Sequence, residues 1–199
     1  GTPGTYIYQL TSVTDNHQCV NAISNVTATI TVNTLPQPPV AVNKEVCFTG
    51  ASQSATATPS SGESIVWYDA PASGTITTAP TGTAVGSYTA YAAARNDATG
   101  CESSDRTLVT LTIQPVPTIN SVANQNWCNN DLISEIAFTG PVSGTTFTWT
   151  NSLPLIGLAS TGTGPIPAFT AVNNGTAPVI ATISVTPAAN GCTGTPISF

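Results

Sequence analysis

Positive charge is almost missing from this chain. Lys44, Arg95 and Arg106 are the only strong cations in 199 residues, against nine carboxylates, for a formal net charge of −6. Nucleic-acid binding needs clustered Lys and Arg to neutralise phosphates, so no nucleic acid is expected as a partner. Anionic membrane surfaces are disfavoured for the same reason. Long hydrophobic runs are also missing. None approaches the roughly 20 residues of a membrane helix, so no membrane insertion is expected in this segment. No basic stretch followed by an apolar one opens the chain, so any secretion signal is expected outside residues 1–199. Histidine occurs once, at His17, and there is no Cys-x-x-Cys, which argues against zinc. Methionine is absent, and lysine, glutamate and leucine are scarce, so the chain is poor in helix formers.

What is present is strand-and-turn material. Thr, Ser, Ala, Val, Gly and Pro dominate, and the 40% of hydrophobic residues alternate with polar ones. Alternation argues against disorder and for half-buried strands. Three segments share one pattern: an alternating stretch, thirteen residues to a cysteine in a tight turn, and a second alternating stretch. They run Tyr6 to Cys19, Tyr88 to Cys101 and Val179 to Cys192. A period of about 80–90 residues with strands on both sides of a turn predicts tandem β domains. The phasing predicts that the chain starts inside one unit and stops inside another, as a window on a longer fibre-like protein.

Three units follow. Residues 1–35 read as the last part of a repeat, with Tyr6, Tyr8 and Leu10 alternating on one strand. Val26, Ala28, Ile30 and Val32 alternate on the next, opposite Thr27, Thr29 and Thr31. This predicts a hairpin with one apolar and one Thr face. Alone it is marginal, and its missing strands are expected before Gly1. Residues 38–115 form a complete unit with strands near Ser54–Thr58, Ile65–Asp69, Ser87–Arg95 and Thr107–Ile113. Residues 117–199 form a third, in which Phe147 and Trp149 share one strand face and Val179, Ala181, Ile183 and Val185 another. Its last strand barely starts at Pro196–Phe199. The Pro-rich links Leu35–Pro39 and Gln114–Pro117 are short and stiff, which predicts an extended array of units. About seven short strands and one buried-type Trp in each of the second and third units fit an all-β fold of tandem sandwiches.

Five cysteines in such a chain point to an oxidising, extracellular setting. Each complete unit has an early and a late cysteine, which predicts the disulfides Cys47–Cys101 and Cys128–Cys192 and leaves Cys19 without a partner. Closing loops of 54 and 64 residues is worth up to about 4 kcal/mol each. Trp67 and Trp149 lie 20 and 21 residues after the early cysteines, amid alternating apolar residues, and are expected in the two cores. His17, beside Asp15 and Asn16, reads as a turn residue and not as a catalytic base. Asn129, Asn130, Asp131 and Glu135, and also Asp97, Glu102 and Asp105, are the calcium candidates. None forms the DxDxDG loop, so they are expected as turn formers, with no metal site. No cofactor is expected. Tyr68 and Tyr91, out of phase with Trp67 and Tyr88, are the aromatics expected to be open to a sugar. Asn25 and Asn174 fit the glycosylation sequon.

At Ile65-Val66-Trp67-Tyr68-Asp69-Ala70 and Thr99-Gly100-Cys101-Glu102-Ser103, the second unit resembles the Ig-like repeats of very large Bacteroidota surface proteins. The third resembles their companion PKD-like repeats at Phe147-Thr148-Trp149-Thr150, Ile156-Gly157-Leu158, Gly162-Thr163-Gly164, Ile166-Pro167-Ala168-Phe169 and Asn190-Gly191-Cys192-Thr193-Gly194. Residues 1–35 resemble the end of another such repeat. The resemblance implies export by type IX secretion, a cell-surface location, and a stalk or adhesin role that includes surface attachment or gliding motility. It brings no catalytic residues, so no enzyme is expected. The implied partners are neighbouring repeats of the same chain and polysaccharide or other surface ligands. The rival expectation is a set of spacer or carbohydrate-binding modules from a large secreted hydrolase.

Overall fold

The computed structural model describes residues 2–199. Their only helical element is a 3-10 turn at Pro154–Ile156; every other regular element is a β-strand. No helix among them is long and apolar enough to cross a membrane. The chain divides into two compact units that interleave along the sequence. One holds Gly1–Asn43, Ser54–Thr81 and Thr89–Thr110; the other holds Lys44–Gln53, Gly82–Tyr88 and Leu111–Phe199.

The first unit opens with a hairpin of β1 (Gly4–Thr14) and β2 (Val20–Val32). Its turn is tied by Asp15, whose Oδ1 accepts from the backbone N–H groups of His17 and Cys19, each at 2.9 Å. The register pairs Tyr6 with Ile30, Tyr8 with Ala28 and Leu10 with Val26. Thr5 faces Thr31 and Gln9 faces Thr27, so one face is apolar and the other Thr-rich. The large apolar side chains of this hairpin stay exposed.

The next strands, in chain order, are β3 (Val40–Val42), β4 (Lys44–Cys47), β5 (Gln53–Ser54), β6 (Thr56–Thr58) and β7 (Glu63–Tyr68). They continue as β8 (Thr81–Gly82), β9 (Gly86–Asn96) and β10 (Thr107–Gln114). One sheet runs β4-β10-β9-β7, while β3 pairs with β6 and β5 with β8. Alternation marks the buried face of the larger sheet in β10, whereas in β9 Ala93 is buried as well. Ala90, Ala92 and Ala94 of β9 are buried, as are Val109, Leu111 and Ile113 of β10. Trp67 stands opposite Ala92 and Ile65 opposite Ala94. Trp67 is half-buried, so its setting is shallower than the closed core expected for it. The result is an all-β, sandwich-type body of short strands.

The remaining strands belong to the second unit. They are β11 (Leu132–Ile133), β12 (Thr146–Asn151), β13 (Thr161–Thr163), β14 (Phe169–Thr170), β15 (Ile183–Ala189), β16 (Cys192–Thr193) and β17 (Ile197–Ser198). β12 is central, with β13 on one side and β15 on the other. Its alternate residues Phe147, Trp149 and Asn151 are buried. Trp149, 3% exposed, packs in a cluster with Phe138, Phe147, Leu158, Ile166, Ile183 and Val185. The register sets Gly162 of β13 opposite Trp149, and a Cβ there would collide with the indole. The glycine is the space in which the ring lies.

β15 begins later than the alternation of Val179, Ala181, Ile183 and Val185 implied. Its partner β12 ends at Asn151, opposite Ile183, so Val179–Thr182 have no strand to pair with there. Pro178 carries no N–H, and the Thr182 N–H donates to Ser152 Oγ at 2.8 Å instead of to a ladder. At the other end, Asn190 and Gly191 take positive φ values of 50° and 74°, turning β15 back into β16. Ile197 pairs with Val185, and Phe199 exchanges backbone hydrogen bonds with Ile183.

Candidate functional site

The cysteines differ most from their expected arrangement. The structure joins Cys47 to Cys192, with 5.6 Å between Cα atoms, in place of Cys47–Cys101 and Cys128–Cys192. Cys19, Cys101 and Cys128 are free thiols. The reason is the direction of one strand. β4 lies parallel to β10 and sets Cys47 beside Gln114, at the C-terminal end of β10. Cys101 precedes the N-terminal end of β10, in a turn where its C=O accepts from the Asn96 N–H. The eight residues of β10 span about 25 Å, and a disulfide needs Cα atoms within about 7 Å. An early and a late cysteine in one repeat were expected to meet at the same end of the domain. Parallel pairing puts them at opposite ends. Cys192, at the β15–β16 turn, is the one within reach of Cys47.

Of the residues considered for calcium, Asn129, Asp131 and Glu102 serve local structure. Asp131 Oδ2 accepts from the Cys128 N–H at 2.8 Å, and Asn129 Oδ1 accepts from the Asn173 N–H at 2.9 Å. Glu102 accepts from the Tyr68 hydroxyl at 2.6 Å. The Arg106 guanidinium stacks over the same Tyr68 ring, 3.3 Å from its centre, and donates to the Ala70 and Ser73 carbonyls. The hydrogen bond to Glu102, then partial burial, raise the Tyr68 hydroxyl above its ordinary value. Beside it, two hydrogen bonds from Thr75 hold the Asp69 carboxyl below the usual carboxylate range. Tyr68 and Tyr91 were expected to be open to a sugar. Instead Arg106 covers Tyr68, and Tyr91 is half-buried against it in the register. This cluster locks the end of β7 to the segment before β10. His17 is exposed in its hairpin turn, where only its backbone is held.

One aromatic side chain open to solvent lies on a cleft, and sequence reasoning passed it over. Trp127, 49% exposed, stands on a cleft of 690 Å³ formed by residues 124–199 of the second unit. Asn124, Gln125 and Asn126 line the cleft next to it and are exposed. The floor is apolar: Ile133, Leu158, Ile166 and Ile183 line it and are buried. Among the described residues, no Asp, Glu, Lys, Arg or His lines the cleft. Its two loops are tied together. The Asn130 N–H donates to the Ala171 carbonyl and the Ala171 N–H to the Asp131 carbonyl, both at 2.8 Å. Asn173 Nδ2 donates to the Ala177 carbonyl at 3.0 Å, closing the second loop on itself. A signal for this place existed in the sequence. Asn124-Gln125-Asn126-Trp127-Cys128-Asn129-Asn130 holds five side-chain amides around a Trp that belongs to no alternating run.

No curated protein matches the chain. One family does match part of it. The model described as "Ig-like domain CHU_C associated" covers residues 36–115, the segment of β3 to β10 with its Ala-rich β9 and its Tyr68–Glu102–Arg106 lock. The match spans 80 of the 199 residues and supports an Ig-like domain there.

Proposed function

We propose that the chain is a stretch of structural and adhesive repeats in a secreted cell-surface protein. The observation that carries this reading is the Ig-like match over residues 36–115, to a Bacteroidota-associated family. Composition supports it: few Lys and Arg leave few sites for basic-directed proteases, and dense Thr keeps the surface hydrated without charge. A disulfide between Cys47 and Cys192 fits a compartment that oxidises thiols. In this role the domain works through repetition and resistance to unfolding, and its partners are neighbouring repeats and surface ligands. Type IX export and a part in attachment or gliding motility complete the reading.

A second reading, modules of a large secreted hydrolase, draws on the Trp127 cleft, which has the form of a binding site. One experiment tests the shared premise. Intact producing cells are treated with a broad-specificity protease, and peptides of residues 36–115 are sought in the supernatant by mass spectrometry. Their release from unbroken cells is expected. Release only after lysis would overturn the surface location.

A further inference from the structure

We infer that the cleft beside Trp127 binds an uncharged glycan, with the indole stacking on a sugar face and Asn124, Gln125 and Asn126 reading its hydroxyls. The cleft's volume, 690 Å³, lies within the range of about 300–1,000 Å³ for small-ligand sites. Its lining decides the ligand class. A charged polymer would find no opposite charge there, since no Asp, Glu, Lys, Arg or His lines the cleft among the described residues. A purely apolar segment would strip water from the Asn124 and Asn126 amides and from the Oε1 of Gln125, whose Nε2 alone is held by the Ala123 carbonyl, and give them nothing to bond, which is costly. A pyranose ring matches both halves. It has an apolar C–H face for the indole and for the exposed Val179 and Ile180 of the lining, and hydroxyls that both donate to and accept from side-chain amides.

The form of the site agrees with that use. Trp127 is 49% exposed, which offers a stacking surface that Trp149, at 3%, does not. The loops are held by backbone bonds between Asn130, Asp131 and Ala171, and the Asn173 N–H is fixed by Asn129 Oδ1. The inference deepens the surface reading, because polymers of neutral sugars are met outside the cell, yet it rests on residues that the Ig-like match does not cover.

The test is calorimetric titration of the whole chain with four neutral oligosaccharides: cellohexaose, mannohexaose, xylohexaose and chitohexaose. Hexagalacturonate is the charged control. Binding of at least one neutral sugar in the millimolar range or tighter is expected, with none by hexagalacturonate. Trp127→Ala should weaken that binding about tenfold or more, and Trp127→Phe by less, because a ring remains. Asn126→Ala should weaken it while far-UV circular dichroism stays the same. Neither Trp127 nor Asn126 belongs to the core cluster around Trp149, so neither variant opens that core. Failure of all four neutral sugars to bind would overturn the inference. So would binding untouched by Trp127→Ala, equal binding of hexagalacturonate, or displacement of the sugar by an apolar peptide of alternating Val and Thr. Because binding is measured on isolated protein, its failure leaves the surface location standing, and protease protection of intact cells would leave the binding standing.

Discussion

Trp149 offers a sharp test of how the second unit is held together. It sits mid-strand in β12 with neighbours on both sides, 3% exposed, against Phe147, Leu158, Ile166 and Val185. Truncation to alanine removes the whole indole and leaves a cavity, so Trp149→Ala should cost about 3–5 kcal/mol. Trp149→Phe should behave very differently. The buried indole Nε1 has no hydrogen-bond partner among the described residues. Such an orphaned donor costs about 1–3 kcal/mol. Replacing indole by phenyl loses transfer energy on the order of 1 kcal/mol and removes the orphan at the same time. The two effects offset, and the net change should fall within about 1 kcal/mol of zero. Urea unfolding followed by circular dichroism gives the stabilities. Hydrogen exchange in peptides spanning 146–151 and 183–189 localises the change to β12 and β15. If Trp149→Phe destabilises as much as Trp149→Ala, the indole N–H is paired and the packing argument fails.

Other expectations follow from the same contacts. Gly162→Ala should cost about 1–3 kcal/mol, because its methyl would meet the Trp149 ring across β12–β13; unchanged urea stability would show that the indole lies elsewhere. Tyr68 should ionise above its ordinary value of about 10 in an ultraviolet pH titration, and Glu102→Gln should bring it down. Its share of stability is complete below the unfolded value and is lost as pH rises through the folded one, so wild type and Glu102→Gln should differ in how stability falls on the alkaline side. For Asp69 the window is acidic: its share is present above the ordinary carboxylate value and lost as pH falls through the lowered one. Thr75→Val should raise the Asp69 value, as read by carboxyl NMR. Reducing Cys47–Cys192 opens a loop of 145 residues and should lower stability by up to about 5 kcal/mol, seen as a drop in Tm.

Much of the fold was legible because it rests on period-two alternation. Tyr6, Tyr8 and Leu10 against Val26, Ala28 and Ile30 gave both the hairpin and its faces. Phe147 and Trp149 gave the buried face of β12 in the same way. What alternation does not carry is strand direction and partner length. Cys47 ends β4, whose parallel pairing with β10 is written in no local pattern, so the cysteine partner differs from the expected one. Val179 and Ala181 alternate as a strand should, but β12 is too short to receive them. Trp127 was overlooked for a related reason. Its stretch has no period at all, and reasoning tuned to strands passed over a cluster of amides.

The central claim, a chain that works in an oxidising space outside the cell, meets its most direct test in its own cysteines. Free thiols are capped with iodoacetamide in intact producing cells, the protein is isolated without reductant, and its peptides are mapped. The account predicts a Cys47–Cys192 crosslinked peptide, with caps on Cys19, Cys101 and Cys128 wherever no further chain supplies a partner. Caps found on Cys47 and Cys192 would place the chain in a reducing compartment, and a Cys47–Cys101 crosslink would show that β4 runs against β10 and not along it.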